Sequence, residues 1–109
     1  MKIDRIPFDD TDEELGYSYV GILFIVQTGE TTAKLRAYDS RPTEVSFMTL
    51  NDKHITKSKA QSPVFDEIKI EMQKLGFTQF KVLLKEGYFD LNSVQKKNTN
   101  WWQRIPFLN

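Results

Sequence analysis

Enzyme chemistry at neutral pH needs nucleophiles, proton carriers or metal ligands in small, well-spaced groups, and this chain offers few. It contains no cysteine and one histidine, His54. Thiolate nucleophiles, disulfides and Cys-rich zinc sites are therefore excluded. His54 stands in a polar stretch with Lys53, Lys57 and Lys59, and a lone histidine in such a setting reads as a bystander rather than a general base. There is no Gly-x-Ser-x-Gly turn to expose a serine nucleophile. The five glycines are scattered singly, so no glycine-rich loop can cradle a phosphate.

The run Asp9-Asp10-Thr11-Asp12-Glu13-Glu14 is the one acidic cluster. Asp10, Asp12 and Glu14 match positions one, three and five of a calcium-binding EF-hand loop. Position six should be glycine and is Leu15; position twelve should be glutamate and is Gly21. The calcium reading fails at both. A solvated loop, or the first turn of a short helix where acids suit the dipole, accounts for the run. A metal nuclease would set acids and a lysine around a divalent ion. The nearest match, Glu67-Ile68-Lys69, falls inside a predicted helix as ordinary surface charge. No catalytic, cofactor or metal site is read from the sequence.

Binding chemistry is better represented. Lys34, Arg36 and Tyr38 share one face of a predicted strand, the combination of cation and aromatic that nucleic-acid-binding sheets use. Against that, 15 basic residues balance 15 acidic ones and the pI is about 6.6, which gives no general attraction to a polyanion. Both tryptophans, Trp101 and Trp102, lie in the terminal stretch. Termini usually fray, yet each such ring can bury about 150–250 Å². The tail is therefore expected to dock, on its own domain or on a partner.

The most apolar stretch is Tyr17 to Val26. Tyr17, Tyr19, Leu23 and Ile25 alternate with Val20, Ile22, Phe24 and Val26, and the stretch carries no charge. Apolar character on both faces predicts a strand inside a sheet, covered on each side. Met1 to Phe8 alternates weakly and holds Pro7, which suits an edge strand or an extended arm. After Tyr17–Val26, Gln27-Thr28-Gly29-Glu30 signals a hairpin. Thr31 to Tyr38 alternates, with Ala33, Leu35 and Ala37 inward. Asp39-Ser40-Arg41-Pro42 is a turn, and Thr43 to Leu50 is a third strand, with Val45 and Phe47 opposite Met48 and Leu50. Asn51 to Gln61 is polar and reads as a loop. Ser62-Pro63 opens a helix as cap and first residue. Phe65, Ile68, Met72 and Leu75 give it an apolar stripe, and Gly76 closes it with Phe77 packed back. Gln79 to Lys85, with Phe80, Val82 and Leu84 inward, and Tyr88 to Leu91 are two further strands. Arg5-Ile6-Pro7-Phe8 recurs as Arg104-Ile105-Pro106-Phe107; four residues are too short for a repeat unit.

A chain of 109 residues argues for one domain that buries about two-thirds of its surface. The elements predict an α+β fold: an antiparallel sheet of four to five strands (a meander, a helix, then one or two strands) with the helix on one face. No secretory signal pattern opens the sequence, and cytoplasmic residence is expected. The second sheet face then needs a cover, which points to a small non-enzymatic protein-binding module, homodimeric or meeting another protein. Asp9, Asp10, Asp12, Glu13, Glu14, Trp101 and Trp102 are its candidate contacts. In size and layout, compact, cysteine-free and without catalytic motifs, the chain resembles the small toxin-neutralising immunity and antitoxin proteins of bacteria. That resemblance implies an acidic surface that masks a basic toxin or nuclease. A nucleic-acid-binding domain using Lys34, Arg36 and Tyr38 is the alternative, and a small ligand-binding or enzymatic domain the next.

Overall fold

The computed structural model describes residues 1–91. The tail with Trp101 and Trp102, and the second Arg-Ile-Pro-Phe, lie outside the described residues. Six strands form one sheet in chain order: β1 (Lys2–Asp12), β2 (Tyr17–Thr28), β3 (Thr31–Tyr38), β4 (Glu44–Leu50), β5 (Gln79–Leu84) and β6 (Gly87–Asp90). A 3-10 turn (Lys59–Gln61) and one helix, α1 (Pro63–Lys74), connect β4 to β5. The α+β class holds, but two expectations change. The sheet has six strands, because Met1–Phe8 and the acids after it form a full edge strand. It is mixed, because β4 and β5 pair in parallel while every other pair is antiparallel. Parallel neighbours need a crossover connection of a dozen or more residues, usually a helix, and the segment holding α1 supplies it between β4 and β5.

The helix forms where the stripe demands it. Phe65, Ile68 and Met72 are fully buried, and Pro63 occupies the first turn. Ser62 stands at the N-cap in extended conformation, but its side chain makes no capping bond. The C-terminus closes as a Schellman motif. Gly76, at φ +106, donates its N–H to the Gln73 carbonyl, and the Phe77 N–H reaches the Met72 carbonyl at 3.2 Å. Leu75, expected in the stripe, is exposed as the C-cap residue. Phe77 instead meets Phe24 of β2 edge to face at 5.7 Å. The stripe rests on inward residues of the sheet, Phe24, Leu35, Val45, Phe47, Phe80 and Val82, with Phe47 and Phe65 rings 4.7 Å apart. The stretch read as a polar loop adds Ile55 and Ala60 to this core.

Two irregularities shape the sheet. A bulge between Lys34 and Leu35 shifts the β3–β4 register, so that Leu50 pairs with Ala33 and packs toward the core, not opposite Phe47 as simple alternation predicts. The other is Gly21, opposite both Phe8 and Tyr38. A methyl group there would stand 2.0 Å from the Ala37 carbonyl oxygen. The rings of Phe8 and Tyr38 meet edge to face at 5.7 Å across this position, covering the backbone where no side chain fits.

The stretch Tyr17–Val26 is a strand, but it is not sheltered along its length. β1 and β2 pair from Lys2↔Gln27 to Asp12↔Tyr17, whereas β2 pairs with β3 only from Gly21 to Thr28. Residues 9–20 therefore project beyond the sheet as a two-stranded arm, last tied by the Asp39 N–H to the Val20 carbonyl. Phe24 and Val26 are buried, whereas Tyr17, Tyr19 and Val20 are 40%, 51% and 37% exposed. The expectation of cover on both faces fails there, and it fails on the face opposite α1 as well, where Leu23 and Ile25 are only half-buried beside Arg36 and Lys34. The acids expected in a loop or helix lie mostly in β1, and only Glu13 and Glu14 belong to the turn at the tip.

Two stability predictions follow from this packing. Gly21→Ala should lower stability by at least the ~1–3 kcal/mol of an overpacked site, because the obstructing atom is backbone and cannot rotate away. Ile68→Ala should cost about 2–4 kcal/mol and the exposed Ile70→Ala less than about 0.5 kcal/mol. Chemical denaturation of the three variants checks both.

Candidate functional site

Strand alternation decides which side chains share the face opposite α1. Cross-strand partners point to the same side, so the registers place Phe8, Asp10, Tyr19, Arg36, Tyr38, Ser46, Lys81 and Tyr88 there. The middle of this face sinks into a cavity of about 520 Å³. Tyr19, Tyr38 and Tyr88 form its walls, Glu44 and Ser46 lie buried in it, and Arg36, Arg41 and Lys81 reach it from β3, the β3–β4 turn and β5.

The aromatic groups form a chain. Tyr17 and Tyr19 rings stand 5.0 Å apart, Tyr19 and Tyr38 5.9 Å. The Arg36 guanidinium lies 4.6 Å from the centre of the Phe8 ring and 3.3 Å from the Asp10 carboxylate. Stacking and ion pairing together hold that planar cation in place. Tyr88 stands on β6 with its hydroxyl 3.9 Å from the Met48 sulfur. Burial raises the Tyr88 phenol above its ordinary value of 10.0; Tyr38 adds to the rise by charge and by a hydrogen bond, while Arg36 opposes it. The phenol is therefore a neutral donor at physiological pH.

Cations on this face are matched by acids. Lys34 pairs with Asp52 at 2.8 Å, and Glu44 receives both Arg41 at 3.4 Å and Lys81 at 3.7 Å. Glu44 is only 9% exposed, and a buried carboxylate needs partners of opposite charge such as these two beside it.

The residues singled out in the sequence divide. Asp10 joins the cavity's edge through Arg36. Asp12 is structural: its carboxylate accepts the Leu15 N–H at 3.0 Å and shapes the tip. Asp9 accepts the Thr11 hydroxyl. Glu13 and Glu14 are exposed at the tip beside Leu15, itself 73% exposed. The acids thus alternate across two faces of a strand rather than forming one patch. Lys34, Arg36 and Tyr38 do share a face as expected. His54 is exposed. Ile68 points into the core while Lys69 lies 5.4 Å from the centre of the Phe80 ring, so Glu67-Ile68-Lys69 makes no cluster. Burial lowers the Lys69 amine, with Asp66 and then Asp90 opposing. Among the described residues, no group of three or more His, Cys, Asp and Glu side chains is placed to hold a metal ion. No helix among them is long and apolar enough to cross a membrane.

Sequence reasoning missed Arg41, Glu44, Lys81 and Tyr88 as one group. They come from separate turns and strands, and only the parallel β4–β5 pairing and the β6 hairpin bring them together. The alternation of Phe80, Val82 and Leu84 did carry a signal, since it puts Lys81 on the opposite face.

The raised Tyr88 phenol has a consequence for stability at high pH. Its contribution is fully present below the unfolded value of 10.0 and is lost as pH rises through the higher folded value, because the unfolded chain releases the proton first. Titration by tyrosinate absorbance should show a late-ionising phenol that Tyr88→Phe removes, and that variant should lose stability less steeply in the alkaline range. No protein-family model matches the chain, and no curated protein or solved structure is detectably similar to it.

Proposed function

We propose that this protein is a small, non-enzymatic protein-binding module that offers the β1–β2 arm and the adjoining sheet face to another protein. The observation that supports this reading is the arm itself. A two-stranded ribbon in water is marginally stable at best, yet this one displays Leu15, Tyr17, Tyr19 and Val20 to solvent. Tyr17 and Tyr19 stand ring to ring at 5.0 Å on one face of the arm, and contiguous exposed apolar groups rimmed by charge mark interaction surfaces. Tyrosine and arginine, the residues concentrated here, are those that anchor protein interfaces. Glu13, Glu14 and Asp9 add negative charge at and near the tip, which would steer a basic partner and weaken its capture in salt. A toxin-neutralising role of the immunity or antitoxin type is the form of this reading that the acids favour.

Nucleic-acid binding is less well supported. Lys34, Arg36, Arg41 and Lys81 each already stand beside an acid, so few condensed counterions would be released from a polymer's phosphates to drive association.

The test compares the wild type with a Leu15→Ser, Tyr17→Ser variant, which leaves Tyr19 and the cavity intact. These exposed positions should tolerate the changes, leaving the melting temperature within a few degrees. Immobilised wild type should retain a partner at low salt, about 0.05 M, that the variant does not. Equal retention by both, or none by either with the wild type monomeric by light scattering, would overturn the proposal.

A further inference from the structure

The geometry points to a second recognition site: the cavity walled by Tyr19, Tyr38 and Tyr88 binds a small organic oxyanion, a carboxylate or phosphate carried on a flat ring. This inference does not depend on the arm meeting a protein, because a cavity of this kind can be filled by a free small molecule.

Three cations enter the cavity and one carboxylate, Glu44, lines it. Their ion pairs are long. Arg41 stands 3.4 Å and Lys81 3.7 Å from Glu44, and Arg36 3.3 Å from Asp10. Tight charge-assisted hydrogen bonds lie nearer 2.7–2.9 Å, so these contacts orient the cations without saturating them. A guanidinium carries five donors in a planar fork, and Arg41 spends few of them on Glu44. Glu44 is thus a buried post that holds Arg41 and Lys81 toward the cavity, and three cations against two carboxylates, Glu44 and Asp10, leave one positive charge in excess for an incoming anion. Arg36 is fixed from the other side by the Phe8 ring. Sites assembled before the ligand arrives lose less freedom on binding.

The walls specify the rest of the ligand. Tyr19 and Tyr38 lie edge to face at 5.9 Å and offer ring surface on which a flat group can stack. Tyr88 offers a phenol that is neutral at physiological pH, well below its ordinary value of 10.0, and Ser40 another hydroxyl at the rim. The volume of about 520 Å³ falls within the ~300–1,000 Å³ of small-molecule sites and accommodates a single ring with its acidic group. The cations converge on one bowl instead of tracking along the sheet, which suits a compact anion rather than a polymer.

Nuclear magnetic resonance titration of the full 109-residue chain tests this, with phenylacetate and phenyl phosphate as probes and benzyl alcohol as the neutral analogue. At least one anion should give saturable shifts confined to amides around Tyr19, Ser40, Arg41 and Tyr88; which one saturates distinguishes carboxylate from phosphate. Arg41→Gln, an exposed position, should weaken binding about tenfold, and Lys57→Gln, on the opposite side, should not. Saturation by neither anion below about 10 mM would overturn the site. So would benzyl alcohol binding as tightly, or binding undiminished in Arg41→Gln. Acetate or inorganic phosphate matching its phenyl counterpart would overturn the role given to the rings.

Discussion

One short helix has to shelter one face of a six-stranded sheet, and the rest of the molecule answers to that constraint. Twelve residues of helix make a rod about 18 Å long and 10 Å wide. Six strands spaced about 4.8 Å apart make a sheet about 24 Å across. The rod cannot cover that width, still less both faces. Phe65, Ile68 and Met72 are buried against the sheet, Phe77 extends the seal to Phe24, and Ile55 and Ala60 join the same core. What lies beyond their reach must be polar, paired or sticky. The open face shows all three: Lys34 with Asp52, Arg36 with Asp10, and beyond them toward the arm a run of tyrosines.

Much of this arrangement could be read from residue types alone. Ala33, Leu35 and Ala37 alternate against Lys34, Arg36 and Tyr38, and a period of two allows only one assignment of faces. The Ser62-Pro63 start and Gly76 end bracket the helix by backbone chemistry that does not depend on its surroundings. Reading failed where the outcome depended on a neighbour's length. Tyr17 to Val26 looks uniformly apolar, and nothing in it says that β3 stops opposite Gly21. The same residues are core on one side of that glycine and surface on the other. The bulge beside Leu35 escaped for a similar reason, since an extra residue in one strand is visible only against its partner. Arg41, Glu44, Lys81 and Tyr88 are scattered in sequence, and the cavity they share exists only once β4 and β5 run side by side.

The balance of charge shapes the functional reading as much as the shape does. A sheet face with exposed tyrosines and lysines would suit single-stranded nucleic acid if its cations were unopposed. Here acids stand within reach of Lys34, Arg36, Arg41 and Lys81. Such a mosaic offers little to a polyanion, while it suits a surface that must discriminate by fit. The tip of the arm differs: Glu13 and Glu14 have no such opposition among the ion pairs of the face, and Leu15 beside them is the most exposed large apolar residue among the described ones.

Strand order that follows chain order has a kinetic side. Neighbours along β1 to β4 are joined by tight turns, so each hairpin can zip within about 1–10 μs of its turn forming. The β4–β5 pair is different. Its strands are separated by the whole Asn51–Thr78 excursion, and a parallel ladder gains nothing until that loop has closed. Seating of α1 on the nascent meander is then the natural bottleneck of assembly. The bowl beneath Tyr88 would be the last feature to take shape, completed only when the second half of the chain arrives.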